Sequence, residues 1–136
     1  MPRLRLLVPP DPREAQAVRR RITAFVRGLG VADDVLYDVV TVIGEAFANV
    51  VQHARTREAI ELTAWLEDDC RLVTRIVDRG QGFTVSAEDL GTNPAQALAE
   101  CGRGMWIMNR CCDTFAVESI PGLGTAIVFA HNLGDR

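Results

Sequence analysis

Glu45, Asn49 and His53 fall four residues apart inside the stretch VIGEAFANVVQHA, residues 42–54. Residues at i and i+4 share one face of a helix. An acid, an amide and an imidazole therefore point the same way from a run flanked by Ile43, Ala46, Phe47 and Val50. Burying such a stripe without partners is costly. A carboxylate here can orient or deprotonate an attacking hydroxyl. An amide oxygen one turn away suits magnesium, a hard cation that prefers oxygen ligands and phosphate partners. Taken alone, the Glu45–Asn49 pair fits a solvated helix face equally well.

Three further clusters carry chemical possibilities. Asp78 ends an apolar run and is followed by Gly80, Gly82 and Phe83. A carboxylate at the end of an internal strand can accept a hydrogen bond from an exocyclic amine. The spaced glycines let the backbone turn and approach a flat ligand. Gly102, Arg103 and Gly104 precede a helical pattern. The free amides of a helix start form an anion site, and an arginine adds a phosphate clamp. Gly122, Leu123, Gly124 and Thr125 form a glycine turn with a hydroxyl. An ordinary hairpin exit, a solvent arginine and a plain turn remain the competing readings of these three.

The elements that position these groups follow from periodicity. Arg3 to Val8 alternates and stops at Pro9 and Pro10, which predicts a first strand. Asp11, Pro12 and Glu14 make a helix start. Val18, Ile22, Phe25, Val26 and Leu29 supply its apolar stripe, and Gly28 and Gly30 end it. A second helix is expected from Asp33 or Asp34 to about His53. Gly44 inside it costs roughly 1 kcal/mol against alanine, so another element is expected to approach closely there. Ile60–Leu66 and Leu72–Val77 read as a hairpin turning at Asp68 and Asp69. Residues 84–103 lack a firm element and are expected to form a lid. Residues 104–111 read as a helix, Thr114 to Ser119 as a strand, and Thr125 to Ala130 as a last, very apolar and central strand. The expected fold is a two-layer α/β sandwich, a mixed, mostly antiparallel sheet with its helices on one face. One domain over residues 1–136 is expected.

Composition limits the function classes. The chain has 136 residues, 48% hydrophobic, with a formal net charge of -3. It shows no global basic field for nucleic acid. All 15 basic residues are arginine, so no lysine serves as a phosphate-loop cation or Schiff base. No leader pattern and no bilayer-spanning run is apparent, so a cytoplasmic setting without membrane contact is expected. Cys70, Cys101, Cys111 and Cys112 match no zinc spacing. They read as reduced cysteines, mostly packing as small hydrophobes.

The order and spacing of the four clusters are more specific than any one of them. EAFANVVQHA, DRGQGF, GRGMWIM and GLGT follow one another along the chain. In this the sequence closely resembles the histidine-kinase-like ATPase superfamily, from the first strand to Ala130. The resemblance implies that Asn49 ligates magnesium bridging the phosphates of ATP. It implies that Glu45 is the general base or activates the phosphate acceptor. Asp78 would bind the adenine amino group, Gly80 and Gly82 would shape the pocket, and Thr125 would support the adenine end. Gly102, Arg103 and Gly104 would meet the phosphates.

A compact domain with the GRG-type motif looks like the anti-sigma factor serine/threonine kinases of bacteria. That resemblance implies a homodimer that sequesters a sigma factor. It also implies phosphorylation of an anti-sigma-factor antagonist of the sulfate-transporter/anti-sigma type. The alternative is a nucleotide-binding regulatory module with little kinase activity.

Overall fold

The computed structural model describes residues 2–54, 58–79, 112–120 and 124–133, excepting the side chains of residues 53, 54 and 118–120. Strand β1, Arg3–Val8, leads into a single 3-10 turn, Pro12–Glu14. The Asp11 carboxylate accepts the Arg13 backbone N–H at 2.9 Å and so caps that turn. Helix α1 then runs over Ala15–Gly28. It buries Val18, Ile22 and Val26, the spacing of one helical face. Gly30, at φ +76, takes the left-handed conformation that releases the chain. Helix α2, Asp33–Ala54, starts on two aspartates that complement the positive end of the helix dipole.

The rest of the described chain is sheet. β2, Ile60–Glu67, and β3, Arg71–Asp78, form the expected hairpin. Asp68 and Asp69 stand at φ 52 and 60, the left-handed pair that a tight hairpin turn requires. The Cys70 N–H donates to the Glu67 carbonyl at 3.1 Å and closes that turn. β4, Thr114–Ile120, and β5, Gly124–Asn132, follow. The strand order is β1-β2-β3-β5-β4, and all four described pairings are antiparallel. β5 is interior, as its apolar sequence requires, although the middle position belongs to β3.

Alternation divides the sheet into two faces. Leu6, Leu62, Ile76, Ile127 and Phe129 are buried on one face, against the helix layer. Ile22 and Val26 of α1 and Val39, Ile43, Phe47 and Val50 of α2 complete this core. Each such fully buried side chain contributes about 1.5–3 kcal/mol of burial free energy. No described helix covers the other face. The result is the two-layer α/β sandwich expected from the sequence. Cys112 packs against the core, whereas Cys70 is exposed in the hairpin turn and does not.

Candidate functional site

The helix-facing rows of β3 and β5 are paired residue for residue. Leu72 lies opposite His131, Thr74 opposite Phe129, Ile76 opposite Ile127, and Asp78 opposite Thr125. The row is apolar in its middle and polar at the Asp78 end. Asp78 is 3% exposed and Thr125 is as deeply buried. A buried carboxylate is tolerated only with partners, and neither residue is without an interaction partner. The buried acid anticipated at the end of an internal strand is therefore present, with a hydroxyl residue as its cross-strand neighbour.

Gly124 fixes the local geometry. It stands at φ +135, and a Cβ there would lie 2.2 Å from the Asp78 carbonyl oxygen and 3.0 Å from the Arg79 Cα. The backbones meet at a distance only glycine permits. This glycine holds the end of β3 against the start of β5, and so sets where the Asp78 carboxylate can reach.

Helix α2 supplies the second part. It packs against β3 and β5. Asn49 is 7% exposed and has an interaction partner, whereas Glu45, one turn earlier, is half-buried. The amide thus faces inward and the carboxylate sits at the margin, where a second molecule can reach it. His53 lies in the last turn of α2, and its side chain is outside the described residues. Gly80, Gly82, Gly102, Arg103 and Gly104 also lie outside the described residues, as does the expected lid over residues 84–103.

One neighbour escaped the sequence reading. A Cβ at Gly44 would lie 3.2 Å from the Arg19 Nε and 3.3 Å from its Nη2. The guanidinium of α1 therefore rests on α2 one residue before Glu45. The helix glycine signalled a close approach. The partner was concealed in the run Arg19–Arg20–Arg21, whose members look alike in sequence.

Among the described residues, no three His, Cys, Asp or Glu side chains converge as a metal site. A magnesium ion carried in by a phosphate chain keeps its waters and phosphate oxygens and needs one or two protein ligands rather than a cage. A single inward amide, Asn49, fits this requirement. Among the described residues, no helix is long and apolar enough to cross a membrane.

The chain is thus a two-layer sandwich with an inward asparagine on its long helix and a buried acid ending an interior strand. The chain belongs to the histidine kinase-like ATPase domain family, which it matches over residues 8–130. A domain of this family has the capacity to bind ATP with magnesium. Its relatives place it in the branch of RsbW kinases and anti-sigma F factors. It is 28% identical over 131 residues to the serine-protein kinase RsbW of Halalkalibacterium halodurans, covering 91% of this chain and 80% of the relative. It is 30% identical over 115 residues to the anti-sigma F factor of Pasteuria penetrans, covering 80% of this chain and 76% of the relative.

Among solved structures, the RsbU and RsbW domains of a Mycobacterium tuberculosis protein share the fold. Their TM-score is 0.71 at 20% identity, over 98% of this chain. The chain spans 33% of the length of that protein chain. The histidine kinase domain from Erythrobacter litoralis matches with a TM-score of 0.57 at 19% identity, over 74% of this chain and 45% of that one.

Proposed function

We propose that this protein is an ATP-dependent serine/threonine kinase of the anti-sigma type. It transfers the γ-phosphoryl group of ATP to an anti-sigma-factor antagonist and sequesters a sigma factor. The observation that carries this reading is the buried Asp78 carboxylate, pinned at the end of β3 by Gly124 and facing the helix that bears Glu45 and Asn49. Relatives named as serine-protein kinase RsbW and anti-sigma F factor support the substrate class and the partners.

In this reading Asp78 accepts the adenine amino group, with Thr125 beside it. Gly80 and Gly82 shape the base pocket, while Gly102, Arg103 and Gly104 meet the phosphates. The Asn49 amide oxygen holds magnesium, which neutralises phosphate charge. Glu45 takes the proton of the acceptor hydroxyl as its oxygen bonds to the γ-phosphorus. The bond from that phosphorus to the β,γ-bridging oxygen breaks, and ADP leaves. The phosphoserine or phosphothreonine adds about two negative charges to the antagonist, which expels it from the complex. The protein acts as a homodimer in the cytoplasm, through residues 1–136 as one domain with its lid over 84–103.

The test is transfer of label from γ-labelled ATP, with magnesium, to an antagonist domain encoded in the same genome. Label is expected on serine or threonine. Glu45→Gln should lower transfer roughly 100-fold and leave nucleotide affinity nearly unchanged. Asp78→Asn should instead weaken nucleotide binding by about tenfold or more. Full transfer by the Glu45→Gln protein, or no labelled antagonist at all, would overturn the reading.

A further inference from the structure

We draw no further inference here: the strongest candidate, the crease between the outer edge of β1 and helix α1 lined by Leu6, Val8, Ala17 and Val18, carries only one charge of each sign, Glu14 and Arg21, and nothing in the structure shows what covers it.

Discussion

Gly124 and Asp78 are in backbone contact closer than any side chain on Gly124 allows, since a methyl there would sit 2.2 Å from the Asp78 carbonyl oxygen. Gly124→Ala must therefore move the end of β3, and it must also hold alanine at φ +135. Strain and overpacking together predict a loss of about 2–4 kcal/mol. Urea unfolding measures it. Because the displaced strand end carries Asp78, nucleotide affinity should fall with stability, and a variant that loses neither would contradict the geometry.

Gly44 is expected to behave in the opposite way. The nearest atoms to an added Cβ belong to the far end of Arg19, whose side chain is exposed and free to shift a few tenths of an ångström. Alanine is a better helix former than glycine by roughly 1 kcal/mol. Gly44→Ala should raise stability by about half that amount after the guanidinium yields. A thermal melt decides the sign.

Thr74 offers a third test. Its hydroxyl is fully buried on the helix-facing row and finds no hydrogen-bond partner among the described residues. Valine has the same shape without the polar atom. Thr74→Val should therefore stabilise the protein by about 1 kcal/mol. A loss of stability in denaturant titration would mean that the hydroxyl has a partner after all.

The acid limb of stability should carry a signature of the first helix start. Arg13 donates to Asp11 from Nη2 at 2.8 Å, and its backbone N–H donates at 2.9 Å. The side-chain bonds first, then the backbone bond, hold the Asp11 carboxyl below its ordinary value of 3.8. A depressed folded value gives stability that is complete above 3.8 and is lost as the pH falls through the lowered value. Asp11→Asn keeps a capping oxygen and removes the charge. The melting-temperature gap between the two proteins should be present at neutral pH, narrow in acid, and shrink with salt because the pair is exposed.

The architecture was legible because each element announces itself by its own period. Val18–Ile22–Val26 and Val39–Ile43–Phe47–Val50 are helical stripes. Ile60–Leu62–Ala64–Leu66 is a strand stripe, and Asp68–Asp69 is a turn. The Asp78 carboxylate was legible as a site candidate because an acid ending an apolar strand has few structural uses. What stayed hidden depends on separation in sequence. Nothing near Gly124 announces that its lost side chain makes room for the carbonyl of Asp78, forty-six positions earlier. Nor does the run Arg19–Arg20–Arg21 reveal which guanidinium crosses to Gly44. In the sequence the arginines of the open face are visible only as composition. Strand register is what gathers them onto one surface, and register is a property of pairing partners rather than of either strand alone.

The strand order carries a consequence for how the chain is made. β3 is the middle of the sheet, yet one of its two neighbours is β5, which follows every other described strand along the chain. Until β5 emerges, β3 is an edge, with a row of unpaired backbone groups beside Leu72, Val73 and Ile76. The protein therefore passes through a stage in which its most central strand is its most adhesive one. An extended chain from elsewhere can then occupy the place reserved for residues 124–132.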